Sequence, residues 1–426
     1  MKTAHRLPVE PGSVQPSSFA PAPADSLITV VVRTGEADRI AAGHPWLFAG
    51  AIQRLTGTPA DGEVVQVKDL KHRLLGVGFF NSKSRIQVRM LSPDRVPIDR
   101  RFFEERLRSA LAHRQRSMPG ATSFRVVNSE SDFLSGLIVD KYEDVLVLQT
   151  SSLGMDQRKA MIVEVLQGLL SPRAIVERND IGSRKFEGLP DAQGVLAGTL
   201  DGPVEVTLNG LKFTADLAAG HKTGLYLDQQ MNWPAVAHLI QRRPEAQVLD
   251  AFSFTGGFAL HAARAGAGRV HLLDQSEEAL AAAGRHAEAN GLADRCSYET
   301  TNVFDWLKNR TTTPLHEKLI HPFDAVILDP PSFTRNRASL PNALRGYKEI
   351  HVRALKLIRR GGLLATFCCS HHVDAVTFQD VILSAAFDSR RWLRRVAVFS
   401  QAPDHPVIPA IPETEYLKGY AFEVVR

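Results

Sequence analysis

The sequence predicts a multidomain α/β protein: a small N-terminal β-barrel, a central α+β domain, and a C-terminal Rossmann-like, doubly wound domain. Three observations predict it. Short apolar runs separated by turn residues fill positions 27–98, the spacing of a small barrel. From about Asp216, apolar runs alternate with helical periodicity, as parallel strands joined by helices require. Acidic and small residues stand at the ends of those runs, where open α/β sheets bind their ligands.

The bulk properties bound the function. A chain of 426 residues has room for two or three domains of about 150 residues each. Its hydrophobic content of 44% supports true cores, and no apolar run approaches the roughly 20 residues of a membrane span. The start, Met1-Lys-Thr-Ala-His-Arg, lacks the apolar core of a signal peptide. Three cysteines, two of them adjacent, make no disulfide framework. The expected compartment is the cytoplasm, whose reducing conditions keep a thiol available. A net charge of +5 permits an anionic partner without requiring one.

Residues 1–26 are rich in Pro, Ala and Ser, and are expected to form a disordered leader. Within 27–98, Leu27–Arg33 reads as a strand and Arg39–Phe48 as a short helix and turn. Glu63–Lys68, Leu74–Phe80 and Arg85–Leu91 follow as short strands. Lys68, Lys71, His72, Arg73, Lys83 and Arg85 fall in the loops, beside Gly43-His-Pro-Trp46 and Gly78-Phe-Phe80. Such a set suits phosphate contacts and base stacking, and equally a solvated loop set over a core of aromatics.

A central α+β domain is expected over 99–203. Asp99–Ser117 is an amphipathic basic helix, Phe124–Asn128 a strand and Leu137–Leu148 a hairpin. Asp156–Leu170 is helical and Ala174–Glu177 extended, with no catalytic constellation among them. Strands at Pro203–Thr207 and Lys212–Ala215 lead into the last domain, 204–426. There, strands are expected at Val248–Phe252, Val270–Asp274, Cys296–Thr301, Phe323–Leu328, Gly362–Cys368 and Trp392–Phe399. Helices are expected at Gly257–Ala265, Glu277–Asn290, Tyr347–Ile358 and Val376–Ala386.

Gly256 and Gly257 let a ligand approach the backbone and expose helix N-terminal amides. The spaced dinucleotide fingerprint is missing, and Asp250 stands where a phosphate would be repelled. A carboxylate there suits a cation, such as the amino group of an S-adenosylmethionine tail. Asp274 is placed to accept both ribose hydroxyls, and Asn302 with Val303 to meet an adenine edge. Phe252, Thr255 and Ser276 lie beside these positions and complete this part of the expected cofactor set. Capping acids and packing glycines would explain any one of them. An ordered series at successive strand ends points to a cofactor.

Asp329-Pro-Pro-Ser-Phe333 suits either of two chemistries. The acid can hold an exocyclic amino group for N-methylation, or a cytosine edge for attack at carbon. Cys369 discriminates, because C5 of cytosine becomes nucleophilic once a thiolate adds at C6. Strand alternation turns Cys368 to the opposite face, as a core thiol, and Cys296 also reads as core. His371 and His372 beside two cysteines lack metal-ligand spacing, so no metal is expected. One of the two histidines can help ionise the thiol, or both simply belong to a loop.

With these residues in view, the chain resembles the bacterial 23S rRNA (cytosine-5) methyltransferase family. Its members join a PUA domain, a central α+β domain and a Rossmann-like methyltransferase domain. The resemblance runs from about Val30 to Arg426. It is carried by Ala42–Phe48, Leu137–Asp140, Lys222-Thr-Gly-Leu-Tyr-Leu-Asp-Gln229, Ala251–Phe258, Asp329–Phe333, Cys369-Ser370, Asp404–Val407 and Tyr416–Gly419. It implies S-adenosylmethionine as donor, Cys369 as nucleophile, and 23S rRNA or a large-subunit precursor as partner. It also favours RNA binding by the barrel and adds Lys222 and Asp228 to the cofactor set. Gln230 and Trp233 stand where the family commonly has arginines, and Asn302 where it has an acid. The amide oxygen of Asn302 can still accept from adenine N6.

The expected mechanism has Cys369 attack C6, Asp329 hold the N3/N4 edge and Phe333 pack near the base. The alternatives are N-methylation of a guanine or adenine in RNA, and a catalytically silent RNA-binding assembly factor. A homodimer is compatible with the sequence, and no membrane partner is expected.

Overall fold

The computed structural model describes residues 27–217, 224–312, 322–334 and 336–426. The expected leader and Lys222 lie outside the described residues. Among them, no helix is long and apolar enough to cross a membrane.

The short N-terminal runs form a six-stranded sheet of Thr29–Val32, Trp46–Phe48, Ile52–Leu55, Val64–Lys68, Leu74–Phe80 and Ile86–Ser92. Val30, Val32, Leu47, Val65, Val67 and Val88 close its core, each at 0% exposure. The region expected as helix and turn splits into a helix at Glu36–Ala41 and the strand Trp46–Phe48. The strand Ile52–Leu55 escaped the sequence pattern because only its first residue is partly buried.

The helix Arg100–Ser117 starts where the Asp99 carboxylate accepts the Phe102 N–H at 3.1 Å, satisfying an amide that the first turn leaves open. It packs with the helix Lys159–Leu170 on a five-stranded sheet. That sheet gains an edge strand, Gln193–Gly198, with no buried residue. The hairpin Val204–Leu208 and Leu211–Ala215 is a separate two-stranded unit whose inner face joins the C-terminal core.

In the C-terminal region, strands are β1 (Gln247–Ala251), β2 (Arg269–Asp274), β3 (Cys296–Thr300), β4 (Phe323–Leu328), β5 (Ile358–Cys368), β6 (Leu393–Ser400) and β7 (Lys418–Val424). Helices are α1 (Asn232–Gln241), α2 (Gly257–Arg264), α3 (Glu277–Ala289), α4 (Val303–Thr312), α5 (Leu340–Leu357) and α6 (Ala375–Asp388). The sheet order is β3-β2-β1-β4-β5-β7-β6, with β7 antiparallel to both neighbours. The sequence pattern missed α1, α4 and β7. α4 exposes Asp305, Lys308, Asn309 and Arg310, a polar face that masks its period, and α1 carries Pro234 in its first turn, which reads as a break. β7 pairs between strands that precede it, a non-local choice no window can see.

Two cores cover the two faces of this sheet. Along β5 the faces alternate: Leu363, Ala365 and Phe367 enter one core, Leu364 and Cys368 the other. The order changes direction at β1 and β4, whose carboxyl ends face a single crevice.

Candidate active site

Five of the seven strands have a polar or glycine-bearing loop at the carboxyl end, and these loops meet in a cleft of about 760 Å³. Its wall includes Phe252, Thr255, Gly257, Asp274, Ser276, Asn302, Val303, Asp228, Asp329, Phe333 and Cys369. Residues expected from distant parts of the sequence therefore share one site. Asp250 and Gly256 do not line it.

The loop after β1 is held in an unusual backbone. Phe252 and Phe254 take positive φ angles of 66° and 48°, a conformation rare for aromatic residues. What holds it is the end of β2. Ser253 N–H donates to the Leu273 carbonyl at 3.0 Å, and Phe254 N–H to Asp274 Oδ2 at 2.9 Å. Asp274 Oδ1 accepts from Ser276 N–H at 2.9 Å, while Ser276 Oγ caps α3. Each Asp274 oxygen thus takes one backbone amide and keeps a second lone pair for a hydroxyl.

Gly257 permits the close approach that opens α2. A Cβ there would lie 2.5 Å from Trp233, so the glycine and the buried indole fit only together. Trp233 packs on Phe213 and His261, at 5.8 and 5.6 Å between ring centres. Gln230 is 3% exposed and donates to Asp404 Oδ2 at 3.2 Å. The two positions where the resemblance leads one to expect arginine are neutral and turned inward here.

Two residues of the expected set make protein contacts of their own. Asp250 is fully buried, one residue below the end of β1, and its Oδ2 accepts the Ala259 N–H of α2 at 2.9 Å. Burial, then the neighbouring charges of Asp329 and Asp274, push its carboxyl well above the usual range. It lies beneath the turn, off the cleft wall, and its Oδ1 has no hydrogen-bond partner among the described residues. Asn302 does reach the rim, but its Oδ1 accepts Phe304 N–H at 2.9 Å and caps α4. The oxygen expected to face adenine therefore also caps the helix start.

Asp329 follows β4 directly and accepts from Gln229 Nε2 at 3.0 Å. Gln229 is held in turn through Asn232, whose amide donates to Gln229 Oε1 at 2.6 Å and to the Ser400 carbonyl at 2.9 Å. Phe333 lies 4.5 Å from Tyr347, 5.4 Å from Phe304 and 6.4 Å from Phe252, ring centre to ring centre. The two adjacent thiols part company. Cys368 is at 0% exposure and donates to Tyr347 Oη at 3.3 Å, and burial pushes its pKa up. Cys369 lies on the cleft wall, its Sγ 3.9 Å from the Pro330 carbonyl of the Asp-Pro-Pro loop.

The sequence pattern did not mark Phe304 or Tyr416 as site residues, and it left His371 open between assisting the thiol and belonging to a loop. Tyr416 lies within a quoted tail motif, and its hydroxyl donates to Asp228 Oδ2 at 2.7 Å. Burial, then the Asp228 charge, raise its pKa well above that of a free phenol. His371 stacks obliquely on Tyr416 at 5.5 Å. Its desolvation, then the positive charge of Lys418, hold its pKa below the ordinary value, which favours neutral imidazole at pH 7. Phe304 carried no signal, since a lone aromatic beside a helix start is common.

Residues 30–93 match a PUA-like domain, and residues 188–414 match an S-adenosylmethionine-dependent methyltransferase family. A ribosomal RNA large subunit methyltransferase I from Shewanella amazonensis is 38% identical over 93% of this chain and 99% of its own. Its namesake from Vibrio cholerae is 39% identical over 90% of this chain and 96% of its own. A Streptococcus mutans structure assigned as a SAM-dependent methyltransferase has the same fold, with a TM-score of 0.78, 20% identity and coverage of 93% and 100%. A second such structure, complexed with SAH, superposes at a TM-score of 0.79 with 21% identity, covering 93% and 100%.

Proposed function

The chain belongs to the ribosomal RNA large subunit methyltransferase I family of S-adenosylmethionine-dependent enzymes, and on that premise we propose that it forms 5-methylcytosine in 23S rRNA through a covalent Cys369 adduct. The observation that carries the reading is the thiol itself. Transfer to nitrogen requires no thiol, yet Cys369 stands on the cleft wall with Asp329 and Phe333.

The residues present fit the cofactor. Asp274 keeps a lone pair on each oxygen for a ribose diol, the Phe252 and Phe304 rings supply apolar wall, and Thr255 with Gly257 opens α2. When bound, S-adenosylmethionine supplies an electrophilic methyl group. The chain's own groups do the rest. The Cys369 thiolate adds to C6 of cytosine, and the displaced electron pair makes C5 the nucleophile. Asp329, oriented by Gln229, holds the N3/N4 edge, and Phe333 packs near the base. Once C5 is methylated, its proton leaves to a base and the C5–H electrons expel the Cys369 sulfur from C6. A cytosine must be extruded or single-stranded to enter. The PUA-like domain is the part that grips the surrounding RNA, and a reducing cytoplasm suits the free thiol.

The test is methyl transfer from labelled donor to large-subunit rRNA, followed by mass spectrometry of the digested nucleosides. Wild type and Cys368→Ala give 5-methylcytidine, while Cys369→Ser gives none. Undiminished transfer by Cys369→Ser, or a methylated guanosine or adenosine as product, would overturn the reading.

A further inference from the structure

Lys418 opens β7 opposite Cys368 of β5, and it is only 8% exposed. Its Nζ donates to the Ser370 carbonyl at 2.6 Å and to the Val373 carbonyl at 2.7 Å. Those carbonyls bracket the turn that follows Cys369. Both partners are neutral, so the hydrogen bonds given to this ammonium leave its charge uncompensated. Burying a cation in that way is costly, and a tie between two carbonyls alone needs only a neutral donor.

The charges around the ammonium say what the cation is for. Burial works against it. The two thiols Cys368 and Cys369 favour it when ionised, ahead of Glu415 and Asp374. His371 of the turn faces it as a further basic group, with His372 beside His371. Tyr347 from α5 and Asp329 from the end of β4 face the Cys368 side. Cys368 is sealed in the core, which leaves Cys369 as the thiol that can ionise into the cleft.

We propose that Lys418 is a positioning residue for Cys369: its ammonium fixes the turn after the thiol and supplies the positive charge against which that thiol loses its proton to solvent. The proposal rests on the reading of Cys369 as nucleophile, but its test does not need methyl transfer.

Iodoacetamide alkylation of the full chain is followed against pH, with Cys369 resolved from Cys368 by tandem mass spectrometry. In wild type, the Cys369 midpoint lies below that of the urea-unfolded chain. In Lys418→Met it rises by about one unit, so alkylation at pH 7 slows about tenfold. Lys418→Arg retains most of the wild-type behaviour. Folding of each variant is checked by calorimetric binding of S-adenosylhomocysteine. A folded Lys418→Met with an unchanged midpoint would overturn the proposal. So would a wild-type midpoint no lower than that of the unfolded chain, a result that needs no variant. If Cys369→Ser kept full methyl transfer, the nucleophile reading would fall while the alkylation shift still measured Lys418.

Discussion

Asp274 does two jobs with one carboxylate. It accepts Phe254 N–H and so holds a strained loop, and it faces the cleft with its remaining lone pairs. Asp274→Ala removes both functions, whereas Asp274→Asn keeps one acceptor oxygen. Hydrogen bonds to charged groups contribute about 1.5–3 kcal/mol each, so the alanine variant binds S-adenosylhomocysteine about 10- to 100-fold more weakly. Titration calorimetry checks this, and unchanged affinity would remove Asp274 from the site. At this scale the sequence was a good guide to which strand ends matter and a poor guide to depth. Asp250 lies one residue below the rim and is fully buried, a difference that periodicity does not encode. The parity of Cys368 and Cys369 was legible, because alternation along a strand is a geometric rule.

The elements carry buried imidazoles whose cost is felt at low pH. His261 of α2 donates through Nδ1 to the Gly257 carbonyl at 2.7 Å, and its Nε2 has no partner among the described residues. His351 of α5 spans the Tyr347 carbonyl at 2.6 Å and Thr366 Oγ1 at 2.8 Å. Burial lowers each pKa to about 4. An unfolded histidine titrates near 6.5, so between about 4 and 6.5 the unfolded chain binds more protons. The folded state loses stability as pH falls through that window, by up to about 3 kcal/mol for each group. In urea titrations from pH 7 to pH 4, His351→Gln has a shallower decline than wild type. Parallel declines would contradict the assignment. Neither histidine was legible as buried from sequence, since a helix period marks a face without saying how completely it is covered. β7 escaped for a different reason. Its neighbours are chosen by the whole sheet, and that choice places Lys418 under the thiol.

Across the whole molecule, Glu187 ties the barrel to the central domain. It accepts from Asn81 Nδ2 at 3.0 Å, Ser84 Oγ at 2.6 Å and Arg89 Nη2 at 2.9 Å. Burial alone would push its carboxyl up, but Arg89 and the surrounding donors hold it below the usual range. On the far side, His44 of the barrel reaches Glu413 at 3.3 Å, next to the tail that carries Tyr416. The barrel is thus joined through polar contacts to the central domain and to the C-terminal tail. Glu187→Ala removes the nearer carboxylate of Arg89, which is 12% exposed and keeps only Glu130 at 3.5 Å and Ser135 at 3.2 Å, so the cost falls below the roughly 3–5 kcal/mol of a buried pair broken outright. The expected result is weaker binding of large-subunit rRNA in filter assays with S-adenosylhomocysteine affinity unchanged. A parallel loss of both would place the tie within the cofactor site's own support. Domain order was readable from the switch between short-strand and strand–helix patterns. The docking was not, because Glu187 contacts residues about a hundred positions away.

The central claim is that a cytosine is methylated at C5 while bound to Cys369. It is tested most directly with large-subunit rRNA in which cytidines carry fluorine at C5. The C5 fluorine cannot depart as a proton does, so the adduct is trapped after methyl transfer. Wild type is predicted to give a denaturation-resistant protein–RNA conjugate that depends on S-adenosylmethionine and maps by mass spectrometry to Cys369. No conjugate from an enzyme that methylates unmodified rRNA, or a conjugate that persists in Cys369→Ser, would contradict the account.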